Sequence, residues 1–273
     1  MDFTYKTIYG NFSSIFKGAS VDLESVEFVD PWAIGMVCLK AIENMNSPGK
    51  RLILPRNQST RIYLRRMHFE RIMGSLTYES YLEELKRIQI NEYETPAVQE
   101  VLHCPSRDVF AGRLSSRIRA MFKSFGMNDT DEQVATAIVG ELGNNVFDHN
   151  MGSWPTPVTG AIIIGQRYSK LGRIDVAVAD PGVGFLNSLK LVYPKPMNDI
   201  DAIKLGLSGV TGRVGEKRGN GLKSIQKWTI GQFSGTLRIH SGTGLIEVDK
   251  DGQREKQVDK MLGTLAEFSV QYN

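Results

Sequence analysis

The chain has 273 residues, enough for one large domain or two ordinary ones. Its 41% hydrophobic and 23% charged residues are typical of a globular protein, and a net charge of +3 predicts neither a nucleic-acid nor a membrane partner. Cys38 and Cys104, far apart in the sequence, exclude a disulfide framework and favour a reducing compartment. Met1–Gly10 lacks a signal-peptide core and no apolar run could span a bilayer, so we expect a cytoplasmic protein.

Strand and helix patterns alternate at the start of the chain. Pro31 suits the first position of a helix because its missing N–H is not needed there. The predicted elements are a strand at Val26–Val29, a helix from Pro31 to Met45, a strand at Arg51–Leu54 and a helix at Arg61–Met67. This alternation predicts a small α/β domain over residues 1–95, followed by a proline-containing linker near Asn91–Ser106.

The rest of the chain, residues 106–273, predicts helices followed by several strands. An apolar stripe from Val109 to Phe125 indicates an amphipathic helix, and the acidic run Asp129–Glu132 marks the start of a helix that reaches His149. The remaining predicted elements are strands at Gly160–Gln166, Ile174–Ala179, Thr236–His240, Gly244–Val248 and Leu262–Val270, with a helix at Gly221–Thr229. We therefore predict an α+β fold.

Three polar side chains share one face of the predicted helix that ends at His149. Glu141, Asn145 and His149 are spaced four residues apart, so each lies about one helical turn from the next. A carboxylate can accept a proton from water, and an amide oxygen is a ligand that suits Mg²⁺. The alternative interpretation is a solvated polar helix face.

A glycine motif follows a predicted strand at Asp180-Pro-Gly182-Val-Gly184. Glycines allow the backbone to approach a flat ligand closely, and a carboxylate beside them can accept a hydrogen bond from an exocyclic amine such as that of adenine. The alternative interpretation is a simple turn at the end of a strand.

A second glycine motif, Gly219-Asn-Gly221-Leu222, opens a predicted helix. Free N–H groups at a helix N-terminus bind phosphate, aided by the helix dipole. The preceding glycine-rich stretch carries Arg213, Lys217 and Arg218, which could meet phosphate charge. An ordinary helix entry is the alternative interpretation.

The order of these motifs resembles the N, G1 and G2 boxes of the GHKL superfamily, which includes DNA gyrase, heat-shock chaperones, histidine kinases and mismatch-repair proteins. Gly263-Thr264 resembles the trailing Gly-Thr element of that superfamily, so the resemblance spans about residues 106–272. It implies a Bergerat-type α/β sandwich, in which a mixed sheet carries helices on one face. It also implies a lid over roughly residues 186–218.

The resemblance also implies ATP and Mg²⁺ as ligands, with a role for each matching residue. Glu141 would be the general base, Asn145 would bind Mg²⁺, and Asp180 would accept the adenine amino group. The other nucleotide-binding positions that it implies are His149, Gly182, Gly184, Gly219, Gly221, Leu222 and Thr264.

The motif spacing is similar to that of anti-sigma-factor serine kinases, whose usual partner is a STAS domain. Residues 26–35 resemble the strand, loop and helix of STAS proteins, and residues 62–69 resemble their following helix. STAS phospho-acceptors follow the aspartate directly as serine or threonine. Pro31 and Trp32 stand there instead, so we expect no phosphorylation site at that place.

Three functions stay open from the sequence. The first is an ATP·Mg²⁺-binding signalling switch whose slow hydrolysis controls a protein partner, with a homodimer also open. The second is a protein serine/threonine kinase of the anti-sigma type, and the third is a non-catalytic scaffold with a structural nucleotide site. Because the chain ends at Asn273, we expect no following domain to supply the γ-phosphate lysine of gyrase-like members, and hence slow hydrolysis.

Overall fold

The computed structural model describes residues 1–90, 101–150, 152–190, 192–193, 197–211 and 220–272, and it shows a mixed α+β fold. The strands are β1 (Asp2–Phe3), β2 (Phe16–Lys17), β3 (Ser20–Asp22), β4 (Phe28–Val29), β5 (Arg51–Ile53), β6 (Leu102–Cys104), β7 (Ala161–Tyr168), β8 (Arg173–Asp180), β9 (Thr236–Asp249) and β10 (Gly252–Gln271). The helices are α1 (Phe12–Ile15), α2 (Pro31–Asn44), α3 (Gln58–Arg66), α4 (Phe69–Ser75), α5 (Glu83–Lys86), α6 (Arg107–Arg113), α7 (Arg119–Ser124), α8 (Asp129–Asn150), α9 (Gly184–Lys190), α10 (Asp199–Ser208) and α11 (Asn220–Gly231). Among the described residues, no helix has the length and apolar character needed to cross a membrane.

The largest sheet has the strand order β6-β7-β8-β10-β9, and each neighbouring pair is antiparallel. The implied mixed sheet is therefore wrong for this part of the chain. Short connections account for two of the four pairs, β7 with β8 and β9 with β10, because strands joined by a tight turn run in opposite directions. Gly172, in the left-handed conformation, lies in the turn between β7 and β8, and Gly252 begins β10 directly after the turn from β9.

Strand β9 joins two segments that the sequence predicted as separate strands. Gly242, which lies between the two predicted strands, has a φ of +60° but stays paired with Met261 of β10. The register between β9 and β10 shifts on either side of Met261, so a bulge absorbs the irregularity. The hairpin also extends β10 back to Gly252, ten residues before the predicted start, because this charged stretch pairs with the end of β9.

Helices α6, α7, α8 and α11 cover one face of this sheet. Their apolar residues form a core with the sheet that includes Phe110, Phe122 and Ile138. Helix α8 begins at Asp129, at the start of the acidic run and three residues before Glu132, near which the helix was predicted to begin. The Asn128 side chain caps it by accepting a hydrogen bond of 2.9 Å from the Asp131 N–H. The predicted helix over Val109–Phe125 consists of α6 and α7, joined by a π-helical turn at Leu114–Ile118.

Helix α2 covers the opposite face of the same sheet, so helices lie on both faces where the resemblance implied one. A β-carbon placed on Gly35 of α2 would lie only 2.7 Å from Leu265 Cδ1 of β10. The core of residues 1–90 continues into the sheet through Ile164, Ala177 and Leu265. Asp30 caps α2 by accepting a 2.8 Å hydrogen bond from the Ala33 N–H, with proline at the first helical position as predicted.

The predicted strand and helix alternation is present in residues 1–90, but the two predicted strands belong to different small sheets. Strand β4 pairs with β1, whereas β5 pairs with β3. The predicted linker near Asn91–Ser106 also contains a strand, because Leu102 and Cys104 are buried where β6 pairs with β7.

Candidate functional site

A pocket lies between helix α8 and the large sheet. The empty space between the helix and the sheet is about 690 Å³, a figure that includes open solvent at the mouth of the pocket. Strands β8, β9 and β10 form its floor, and helices α8 to α11 contribute its sides. Most of its lining is apolar, as in Leu142, Val146, Val178, Leu189, Ile239 and Ala266. Such walls suit a flat apolar ligand.

The structure brings most of the predicted site residues to this pocket. The predicted residues among its lining are Asn145, His149, Asp180, Gly184, Leu222 and Thr264. Gly182 lies directly behind Asp180, and Glu141 and Gly221 lie close together on α8 and α11. Gly219 and the basic residues Arg213, Lys217 and Arg218 lie outside the described residues.

Asp180 places a buried carboxylate in the pocket floor. Its Oδ1 atom accepts hydrogen bonds from the Gly182 N–H at 2.8 Å and from Asn150 Nδ2 at 2.9 Å. Burial raises the pKa of Asp180 to about 7, against hydrogen bonds from Gly182, Asn150 and Thr264 that lower it. The hydrogen bonds from Gly182 and Asn150 both end on Oδ1, so Oδ2, beside the Thr264 hydroxyl, keeps capacity to accept from a ligand donor.

Thr264 and Ser241 connect Asp180 to the neighbouring strands. Thr264 of β10 lies opposite Asp180 of β8 and also opposite Ser241 of β9. The buried Ser241 hydroxyl donates to the Gly263 carbonyl at 3.0 Å and accepts from the Phe185 N–H at 3.1 Å. One serine therefore fixes the start of α9 against the turn that precedes Thr264.

Two glycines of the motif after β8 are required by the local geometry. A β-carbon on Gly182 would lie 2.1 Å from Asn150 Oδ1, so no larger residue fits there. Gly184 has a φ of +75°, a conformation that favours glycine, and its β-carbon position is 2.7 Å from Ser241 Oγ. The backbone of this turn is thus held tightly against both α8 and β9.

Glu141 and Asn145 lie next to the start of α11. A β-carbon on Gly221 would lie 2.6 Å from Glu141 Oε2 and 3.9 Å from Asn145 Nδ2. Neither side chain makes a hydrogen bond or ion pair within the described residues, although both are half-buried. A free carboxylate and a free amide therefore face the N-terminal turn of a 12-residue helix, where N–H groups favour an anion.

His149 points to a helix that the sequence prediction treated as part of a lid. Its Nδ1 atom lies 3.0 Å from the Ser188 hydroxyl of α9. Helices α9 and α10 occupy much of the predicted lid over residues 186–218, and residues 212–219 lie outside the described part. The start of α10 is fixed by a capping box, in which Asn198 and Asp201 each bond the backbone N–H of the other.

Asn150 is a site residue that the sequence interpretation missed. Its buried amide contacts Asp180 and also accepts a 2.8 Å hydrogen bond from the Val183 N–H. These partners lie more than 29 residues away in sequence, so only the fold reveals them. The available signal was its position directly after His149, at the end of the helix that carries the motif.

The polar side chains of this pocket can be compared with the ligands that a magnesium ion requires. Among the described residues, no group of three or more histidine, cysteine, aspartate or glutamate side chains is arranged to hold a metal. A magnesium ion bound with a nucleotide needs few protein ligands, because phosphate oxygens and waters supply the others. The unbonded amide of Asn145 fits that requirement.

Comparisons with known proteins do not assign the chain to a family. A scan of protein-family models finds no match, and a search of curated proteins finds none either. The features of the pocket are a buried carboxylate in its floor, apolar sides, and a free carboxylate and amide near a helix N-terminus.

Proposed function

We propose that this chain binds ATP·Mg²⁺ in the pocket between α8 and the large sheet, as a switch protein of the GHKL type. The observation that carries the proposal is the convergence of motifs more than 100 residues apart on one pocket. Asp180 occupies its floor, Asn145 and His149 lie along one side, and Thr264 lies opposite Asp180. The three motifs occur in the order expected from the resemblance.

Support for a purine comes from the floor of the pocket. The Oδ2 atom of Asp180 is the acceptor that an exocyclic amine requires, since Oδ1 is already used by Gly182 and Asn150. Apolar side chains such as Val178 and Ala266 flank it and suit the faces of a flat ring. An adenine base placed there would direct its sugar and phosphates towards the open side.

Support for the phosphate end comes from α8 and α11. The first turn of α11 offers backbone N–H groups beside Gly221, and these would bind phosphate oxygens. Asn145 would hold Mg²⁺ through its amide oxygen. When bound, the ion supplies positive charge to the phosphates and orients them.

Glu141 gives this chain a candidate general base. Its carboxylate makes no bond within the described residues and lies next to the proposed phosphate site at Gly221. It would accept the proton of a water whose oxygen attacks the terminal phosphorus as the bond to the leaving diphosphate breaks. A pure structural nucleotide site does not need such a residue, which favours the switch over the scaffold.

A kinase of the anti-sigma type is less well supported. At the place where STAS proteins carry their phospho-acceptor, Pro31 and Trp32 are buried in the first turn of α2. Any phosphate acceptor would therefore have to come from a separate partner protein. Labelled-phosphate transfer to purified partners would separate that function from simple hydrolysis.

Calorimetric titration with ATP tests the proposal. We expect micromolar binding that depends on Mg²⁺ and is lost in Asp180→Ala, because the buried acceptor for the base is gone. No binding by the wild-type protein would contradict it.

Turnover then separates the switch from the scaffold. In Glu141→Gln we expect ATP binding to persist while phosphate release falls by about a hundredfold or more, since the proton acceptor is lost. Asn144→Gln on the same helix is the matched control and should leave both unchanged. Equal phosphate release from Glu141→Gln and the wild type would favour the scaffold.

A further inference from the structure

The Asn150 side chain bridges helix α8, the end of β8 and the turn that follows it. Nδ2 donates to the Val146 carbonyl at 2.8 Å and to Asp180 Oδ1 at 2.9 Å, while Oδ1 accepts from the Val183 N–H at 2.8 Å. Only 3% of the residue is exposed. Both N–H groups of the amide are therefore used inside the protein.

The partners of this amide determine its orientation. A backbone N–H such as that of Val183 can only donate, and a backbone carbonyl such as that of Val146 can only accept. The amide nitrogen must therefore face Asp180, whose Oδ1 must accept. Because the Gly182 N–H donates to the same Oδ1, a proton on this carboxyl group can reside only on Oδ2.

Asp180 lines the pocket and its Oδ1 already accepts two hydrogen bonds, so protonation of Oδ2 decides which ligand group the carboxyl group can bind. Without a proton it accepts a hydrogen bond from an amine, and with a proton it donates one to a carbonyl. Burial brings the pKa of Asp180 to about 7, so the two forms are finely balanced. Among the described lining residues, His149 is the other titratable group, and it is bonded to Ser188.

We propose that Asn150 is a positioning residue that holds Asp180 as a hydrogen-bond acceptor and so sets the preference of the pocket for a base with an exocyclic amine. This inference rests on the proposed function, because it concerns how the same pocket selects its ligand. Removing the Asn150 donor favours the protonated carboxyl group and with it a base that carries a carbonyl at the same place.

The first test is a carbon NMR titration of the Asp180 carboxyl group in the nucleotide-free protein. Asn150→Asp keeps the acceptor for Val183 but loses the donor to Asp180, and it adds a second acid. We expect the titration midpoint of Asp180 to rise by about one pH unit or more. Asn144→Asp, the same change on the same helix, should leave that midpoint in place. An unmoved midpoint in Asn150→Asp overturns the positioning role.

The second test compares the affinities of ATP and inosine triphosphate, which differ in carrying an amine or a carbonyl on the base. We expect the ratio that favours ATP to fall about tenfold in Asn150→Asp and to stay unchanged in Asn144→Asp. A raised midpoint with an unchanged ratio overturns the role in selectivity.

The two tests also separate this inference from the proposed function. If the wild type binds neither nucleotide, the proposed function fails and the role in nucleotide selectivity fails with it, whereas the midpoint still decides whether Asn150 positions Asp180. Should Asn150→Asp not fold, Asn150→Ala removes the same donor without adding a charge. It is expected to move the midpoint in the same direction.

Discussion

The buried acids on the two faces of the large sheet have different hydrogen-bond partners, neutral on one face and charged on the other. On the pocket face, Asp180 has only neutral partners, and burial raises its pKa to about 7. On the face covered by α2, Glu267 bonds Arg238 at 2.7 Å and Asp175 bonds Arg173 at 3.0 Å. Burial and the nearby acids raise the pKa of Glu267, and the charge of Arg238 opposes that shift.

This contrast separates what holds the fold together from what is available to a ligand. The arginines on the α2 face connect strands and give one oxygen of each acid a charged partner, while Glu267 Oε2 and Asp175 Oδ1 stay buried without a hydrogen bond in the described structure. Asp180 on the pocket face has no cationic partner, and its carboxyl group lines space that a ligand can enter. Such a group is expected at a binding site more often than in a purely structural one.

The largest expected loss of folding stability comes from breaking the ion pairs on the α2 face. Arg238 bonds both Glu247 and Glu267, and only 16% of its side chain is exposed. We expect Arg238→Met to lower the free energy of unfolding by about 3–5 kcal/mol, because it leaves buried acids unpaired. Urea unfolding at neutral pH measures this loss.

Arg254 provides the matched control for that change. It also pairs with Glu247, but 51% of its side chain is exposed to solvent. We expect Arg254→Met to unfold at nearly the same urea concentration as the wild type, because water screens an exposed ion pair. Equal losses in the two variants would contradict the view that burial makes the Arg238 contacts important.

A loss of folding stability of intermediate size is expected when the pH is lowered. His240 is fully buried on the α2 face, where its Nδ1 lies 3.1 Å from the Tyr9 hydroxyl, and burial lowers its pKa to about 4. The unfolded chain takes up this proton near pH 6.5, so stability is full above that pH and is lost as the pH falls towards 4. The contribution is about 3 kcal/mol.

Comparing wild type with His240→Gln measures this contribution. The stability difference between them should narrow by about 3 kcal/mol as the pH falls from 7 to 4. Tyr9→Phe leaves the histidine buried and should keep the acid sensitivity of the wild type. A constant difference between the wild type and His240→Gln over this range would show that His240 does not titrate on unfolding.

The smallest expected loss of stability comes from a hydrogen-bonding side chain on the pocket face. Ser241→Ala removes the acceptor for the Phe185 N–H and the donor to the Gly263 carbonyl, and should cost about 1–2 kcal/mol in thermal unfolding. Ser208→Ala changes an exposed hydroxyl and should stay within about 0.5 kcal/mol. A loss for Ser241→Ala as small as that of the control would mean that water replaces both hydrogen bonds.

Local periodicity was sufficient to predict the helix that carries the polar motif. Glu141, Asn145 and His149 share a face because of the helical repeat alone, whatever the rest of the chain does. The strands of the hairpin from β7 to β8 were also predictable, since each is apolar and a glycine turn separates them. The helix and the hairpin both depend on residues that are close together in the sequence.

Features that depend on distant partners were missed or predicted wrongly. Two separate strands were predicted on either side of Gly242, but pairing with β10 keeps β9 continuous. Asn150 carried no signal of its own because its partners lie beyond the next strand. Helix α10 was overlooked although its capping residues, Asn198 and Asp201, stand at a readable spacing in the sequence.

The most direct test measures unfolding of the wild type and Asp180→Asn at pH 8, each with and without ATP·Mg²⁺. The folded-state pKa of Asp180 is raised above its unfolded value, so its charge opposes folding above about pH 7 and this penalty disappears below about pH 4. We expect Asp180→Asn to be more stable than the wild type by about 4 kcal/mol without nucleotide. ATP at about a hundred times its Kd should stabilise the wild type by about 2.7 kcal/mol and the variant not at all. If the variant were less stable than the wild type and equally stabilised by ATP, the proposal that the Asp180 carboxylate binds the nucleotide at a cost in stability would be contradicted.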